Sequence, residues 1–198
     1  MPTPLAEYYR ELQLREGLAP LDLIAEWDPD IVEAISADFR AAAIASRITE
    51  QVVPLRAGSS NQSIGNQVAE FFALQFPPHL ARYDLRACAG AGYPDKILIS
   101  RQDNQIYPLE LKATSTWNAA DSNRRVLTSS SRKLRERFRG VINHLLATIL
   151  YGQRGADWFI TSIRLDFVGP NTLVNIRLEA SVSHRLLSQA THATITVP

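Results

Sequence analysis

The spacing of the apolar residues changes at Pro77-Pro78, and that change constrains the fold more than any other feature. Before it, apolar residues recur three and four apart, as on one face of a helix. Leu5, Tyr8, Tyr9 and Leu12 make a first stripe, and Ile31, Ile35, Phe39 and Ala42 through Ile48 a second. The second stripe follows Asp28-Pro29-Asp30, which supplies a capping carboxylate and a proline for the first turn. After Gly58-Ser59-Ser60-Asn61, a third helix is expected over 62–75, with Ile64, Val68, Phe71, Phe72 and Leu74 apolar and Glu70 at the edge of the stripe. Proline has no N–H to donate and clashes with the preceding turn, so Pro77-Pro78 ends it.

Beyond the prolines the pattern alternates. Strands are predicted over 83–89, 96–100 and 105–112, and Arg101-Gln102-Asp103-Asn104 carries the turn residues of a hairpin between the second and third. A loop rich in Ser, Thr and Asn is expected over 113–130. From 131 to 151, Leu134, Phe138, Val141, Leu145 and Ile149 are spaced by four, three, four and four, which predicts an amphipathic helix packed on the sheet. Further strands are expected over 158–167 and 172–180, on either side of a turn at Gly169-Pro170-Asn171. The order implies an α/β or α+β fold with a short mixed central sheet flanked by helices. We read residues 1–57 as a helical arm, a lid or dimerisation element, and 58–198 as one compact domain.

The apolar runs fall far short of the ~20 residues that cross a bilayer. The N-terminal residues lack the basic flank and apolar core of a secretory signal, and the single Cys88 cannot form an intrachain disulfide. A cytoplasmic protein without membrane association is the expectation. The formal net charge of +1 argues at first against a polyanionic partner. Resolved along the chain, it is a cancellation. Residues 1–56 hold five Arg and ten acids, whereas 124–139 hold seven basic residues and one acid. Of the 21 cationic residues eighteen are Arg, which suits bidentate contact with phosphate or guanine and is also what a biased genomic base composition produces.

The stretch richest in chemistry is Gly92-Tyr93-Pro94-Asp95, followed by Glu110-Leu111-Lys112. Residues two apart in a strand point the same way, so Glu110 and Lys112 share a face. With Asp103-Asn104 at the centre of the turn, Asp95 falls opposite Lys112 and diagonal to Glu110. Diagonal neighbours lie ~7–8 Å apart, within reach of one shared cation. Two carboxylates with oxygen-only ligation suit Mg²⁺, which polarises a phosphate and acidifies a water, while an ammonium beside them orients the nucleophile or stabilises the transition state. A solvent-facing cross-strand ion pair is the competing reading of the same residues.

The order of a helix with Glu70, a strand, Pro94-Asp95, a hairpin, Glu110-Leu111-Lys112 and then further helix and strand resembles the PD-(D/E)xK nuclease superfamily in its restriction-endonuclease-like form. The resemblance spans roughly residues 60–168. It implies that Asp95, Glu110 and the Leu111 carbonyl bind Mg²⁺, that Lys112 is catalytic, and that Glu70 completes the site. It also implies a type II restriction endonuclease cutting double-stranded DNA as a homodimer, since one site cuts one strand and a two-fold dimer matches a palindrome. A structure-specific or repair nuclease, and a non-catalytic DNA-binding module, share the fold and stay open.

DNA would then lie along the basic segment. Thr114 and Ser115 follow Lys112 and are placed near the scissile bond. Arg124 and Arg125 are candidates for guanine, with Asn123 beside them. Ser129 and Ser130 offer hydroxyls to phosphate, and Arg132 and Lys133 begin faces that track the backbone. A solvated helical face, balanced by acidic residues of a dimer partner, accounts for the same charges.

Overall fold

The structure is a computed structural model and describes residues 2–90, 92–115, 124–128, 130–138, 140, 142–176, 180–183 and 187–196. A short strand β1 (Thr3–Pro4) leads into α1 (Leu5–Arg15), followed by α2 (Pro29–Ser46) and α3 (Asn61–Gln75). The local signals act as expected at the helix starts. Asp28 accepts from the Asp30 N–H at 2.8 Å with Pro29 as the first helical residue, and the Ser60 hydroxyl accepts from the Ser63 N–H at 3.3 Å. A 3₁₀ turn at Pro77–His79 closes the helical half.

The strands that follow are β2 (Tyr83–Ala87), β3 (Lys96–Ser100), β4 (Ile106–Thr114) and β5 (Arg124–Thr128). After the six-residue helix α4 (Arg132–Arg137) come β6 (His144–Arg154), β7 (Asp157–Val168), β8 (Leu173–Ile176), β9 (Ala180–Ser183) and β10 (His192–Ile195). The central sheet has the order β10-β7-β6-β4-β3-β2. Its β4–β6 pair is parallel and its other pairs antiparallel, so the expected mixed sheet with flanking helices is present. A second sheet, of order β1-β8-β9-β5, was not expected.

Two expectations about element type need correction. The helix predicted over 131–151 stops at Arg137, and His144–Arg154 is a strand. Gly140, at φ 97, lies between them in a conformation that helices exclude. β6 misleads because it is covered on both faces: Leu145, Ala147 and Ile149 join the core under α2 and α3, while Leu146 joins the core with α1 and α4. A strand buried on both faces shows a continuous apolar run in place of alternation, and that run also satisfies a helical template. The loop expected over 113–130 is the other correction, since β4 continues to Thr114 and Arg124–Thr128 pair with β9.

The β3–β4 hairpin forms with its register shifted by two residues. Lys96 faces Leu109 and Ile99 faces Ile106, with Ser100 N donating to the Gln105 carbonyl at 2.9 Å. All four residues from Arg101 to Asn104 are therefore loop, and Asn104 takes the left-handed conformation at φ 60. A shift of two leaves every side chain on its expected face, whereas a shift of one would have exchanged the faces.

The core divides along the sheet. One face carries Leu98, Leu109, Leu111, Leu145, Ile149 and Leu165 against Phe39 of α2 and Val68 and Phe72 of α3. Gly65 lets α3 approach closely: a Cβ there would stand 3.4 Å from the Ala113 carbonyl of β4 and 3.7 Å from the Tyr151 hydroxyl. Gly65→Leu would push α3 off β4, and urea denaturation should show a loss of about 1–3 kcal/mol from overpacking.

The other face joins Tyr8 and Tyr9 of α1 with Tyr93, Leu134, Leu146 and Val168. At its centre the fully buried His144 donates from Nε2 to the Leu23 carbonyl at 2.8 Å and accepts at Nδ1 from the Tyr93 hydroxyl. Burial lowers its pKa from 6.5 to about 4. The unfolded chain therefore takes up this proton first, so the contribution of His144 to stability is present above pH 6.5 and is lost as pH falls towards about 4. In denaturation at a pH above 6.5 and at one inside that window, the wild type should lose more stability than His144→Gln. Equal losses would show that this residue does not carry the effect.

Candidate active site

β4 supplies the central pair. Its odd-numbered residues Leu109 and Leu111 are core, which turns Glu110 and Lys112 together to the opposite face. Asp95 lies one residue before β3, so the register that pairs Lys96 with Leu109 brings it level with Glu110. Lys112 Nζ stands 2.9 Å from Glu110 Oε1 and 3.8 Å from Asp95 Oδ2, bridging the two acids.

The three groups are in different environments. Glu110 is 3% exposed, whereas the side chains of Asp95 and Lys112 are 43% and 41% exposed. Burial pushes the Glu110 carboxyl up to about 7, with the Lys112 ammonium pulling it down and the Asp95 carboxylate adding to the rise. Glu110 Oε2 is buried and has no hydrogen-bond partner among the described residues. A buried carboxylate oxygen left without a donor is costly. Two acids with a single ammonium between them, one acid with an unmatched oxygen, fit a hard divalent cation with oxygen ligands.

Asp95 and Lys112 open onto a cavity of about 950 Å³ between α3 and β4, which also has Asn66 and Glu70 of α3 in its wall. Glu70 is exposed there and faces the space from the opposite side. Leu111, Thr114 and Ser115 line the same cavity, with Leu111 and Thr114 buried and Ser115 exposed. A second cavity of about 630 Å³ is lined by Glu26, Glu33, Trp27, Phe167 and Gln189, with no Lys or Arg in its wall among the described residues.

The predicted DNA contacts are dispersed. Asn123 and Ser129 lie outside the described residues, and Arg124 and Arg125 are described as the first two residues of β5. Ser130 is half-buried and its hydroxyl accepts from the Arg132 N–H at 3.2 Å, while the Arg132 side chain is exposed. Lys133 is engaged within the protein, donating to the carbonyls of Gly90, Gly92 and Pro94 at 3.2, 2.7 and 3.1 Å.

Sequence reasoning missed the supports of the Asp95 loop: Lys133, and the Tyr93–His144 pair. The partners of Lys133 are backbone carbonyls about forty residues away, and no side-chain motif marks them. A histidine at the start of a long apolar run was the one available signal for His144.

No protein-family model matches the chain, and no curated protein matches it. Among solved structures, it is similar to the crystal structure of the tetrameric restriction endonuclease SfiI bound to cognate DNA, at 12% identity and a TM-score of 0.51, over 87% of each chain. Similarity at that identity concerns the path of the chain. The chain has a restriction-endonuclease-like fold.

Proposed function

We propose that the protein is a Mg²⁺-dependent type II restriction endonuclease, hydrolysing phosphodiester bonds at a specific site in double-stranded DNA as a homodimer. The observation that supports this most is the meeting of Asp95, Lys112 and the buried Glu110 beside a polar cavity that Asp95 and Lys112 line, in a fold shared with a restriction endonuclease.

The side chains divide the work by position. Asp95, Glu110 and the Leu111 carbonyl would hold the cation; Glu70 lines the same cavity but forms no three-acid cluster with them among the described residues, and would act on the site from α3. Bound there, Mg²⁺ supplies Lewis-acid stabilisation of the scissile phosphate and a more acidic water. Lys112 is the cationic donor beside the acids, placed to orient the attacking water and to meet negative charge growing on the phosphate oxygens. Its alkyl stem and the buried Glu110 limit water on the sheet side, where electrostatic contacts are stronger than in bulk.

Recognition falls to the residues around this centre. Thr114 and Ser115, which line the cavity, are the candidates for contact near the scissile bond. Arg124 and Arg125 on β5, with Asn123, are the candidates for reading bases. Ser129, Ser130 and Arg132 are the candidates for phosphate. Within 1–57, where α1 and α2 pack their buried faces into the two cores, the exposed faces are the proposed dimerisation surface.

Plasmid DNA incubated with Mg²⁺ should give discrete fragments, and EDTA should abolish them. Asp95→Ala and Lys112→Ala should each lower the cleavage rate by about 10²–10³-fold, the size expected when one stabilising group is removed from such a centre. Nicking or a smear would indicate a structure-specific or nonspecific nuclease of the same fold. Absence of cutting, with salt-dependent DNA binding retained, would indicate a non-catalytic module. Sedimentation should give about twice the 22.1 kDa chain mass. A monomer bound to DNA would overturn the homodimer.

A further inference from the structure

We propose that Lys133 is a positioning residue for Asp95, acting on the protein's own backbone rather than on DNA. The inference rests on the proposed role of Asp95 as a metal ligand. It begins from the three carbonyls, those of Gly90, Gly92 and Pro94, that surround the Lys133 ammonium. Carbonyl dipoles turned to one point repel one another, and an ammonium at that point converts the repulsion into charge-assisted hydrogen bonds. Gly90 and Gly92 take φ 94 and 75, a left-handed conformation that side chains disfavour, and this bends the loop around the lysine. The stem fits as well, with Lys133 Cε at 3.7 Å from where a Cβ on Gly90 would be.

The third carbonyl links the clamp to the site. The Pro94 carbonyl and the Asp95 N–H belong to one planar peptide, so holding that oxygen fixes the orientation from which the Asp95 side chain departs. Asp95 is held on its other side by its own carbonyl, which accepts from the Cys88 N–H at 3.0 Å. Tyr93, next to Pro94, is tied to His144.

Lys133 itself stands on a fixed base. Leu134 is fully buried, and the Glu16 carboxylate accepts from the Ser131 N–H at 3.1 Å and from its hydroxyl. Burial raises the Glu16 pKa, but the hydrogen bonds from Ser130 and Ser131 and the charge of Arg132 outweigh it, so the carboxyl lies below its ordinary value. Arg135 donates to the Gln13 side chain and to the Ala19 carbonyl, both at 2.8 Å. The N-terminal helix thus anchors α4, and α4 presents the ammonium to the Asp95 loop.

The test uses the full chain with Lys133→Met, which keeps the stem and removes the donors, and Lys133→Arg, which keeps the charge on a planar group too wide for the carbonyl cage. Three quantities are measured. They are Mn²⁺ binding without DNA, with Asp95→Ala as the reference for loss of the site; amide hydrogen exchange over residues 92–96; and DNA affinity against salt without metal. The proposal expects both variants to bind Mn²⁺ about 10–100-fold more weakly, as when a group supporting a metal ligand is lost. It also expects faster exchange over 92–96 and DNA binding like that of the wild type.

Unchanged Mn²⁺ binding and exchange in Lys133→Met would overturn it. So would a salt slope lowered by about 1 in Lys133→Met and restored in Lys133→Arg, which is the signature of a phosphate contact. If the wild type binds Mn²⁺ no better than Asp95→Ala, the metal site itself is wrong, and the exchange data alone decide whether Lys133 holds the loop. Should Lys133→Met fail to fold, Lys133→Arg carries the same comparison.

Discussion

β4 has to be a core strand and carry charge on alternate residues of one short stretch, and the structure depends on how it does both. Leu109 and Leu111 lie in the main apolar core, so the pleat fixes Glu110 and Lys112 on the opposite face. A carboxylate 3% exposed cannot stay ionised there without compensation. Lys112 supplies part of it at 2.9 Å, and Asp95 then adds a second acid to the same place. The result is a cluster whose charges are left incompletely balanced and whose Oε2 has no donor among the described residues. Packing alone gives no reason for this arrangement in the middle of a sheet. The proposed cation site would give one, because the imbalance would become binding energy for a metal.

Rigidity on the Asp95 side has to come from elsewhere, because that residue lies outside β3. Among its described residues, the loop from Cys88 to Asp95 is fastened by Cys88 N–H to the Asp95 carbonyl, by Tyr93 to His144, and by Lys133 to the carbonyls of Gly90, Gly92 and Pro94. Two of these fastenings lead back to the first helical segment. His144 is hydrogen-bonded to the Leu23 carbonyl, and α4 is held by Gln13, Glu16 and Ala19. Residues far from the motif in sequence thereby set where one of its acids stands.

How much of this was legible follows from which forces are local. The starts of α2 and α3 were readable because Asp28, Pro29 and Ser60 act within a few residues of themselves. The faces of Asp95, Glu110 and Lys112 were readable because they depend only on odd or even position, and a register error of two leaves parity intact. The error arose because the loop takes in Arg101 and Gln102 as well as Asp103 and Asn104, with the left-handed residue at Asn104. β6 was misread for a non-local reason, since what covers its second face comes from α1 and α4. The Lys133 clamp was invisible for a similar reason, its partners being backbone oxygens that every residue possesses.

The charge pattern gains a different meaning once contacts are known. By sequence, the basic segment 124–139 looks like a uniform strip for a polyanion, balanced by an acidic arm. Within the fold, the arm and the strip meet in the same chain at Glu16 and Ser131, and Arg135 and Lys133 spend their donors on protein oxygens. Cations occupied in this way cannot release counterions from DNA without first giving up those bonds, so the number of basic residues overstates the number of phosphate contacts. The exposed Arg132 is the better candidate for a phosphate on α4. The basic segment therefore mixes two kinds of cation in one run of sequence: Lys133 and Arg135, whose donors are taken by protein oxygens, and exposed ones such as Arg132, which the proposed function would assign to the substrate.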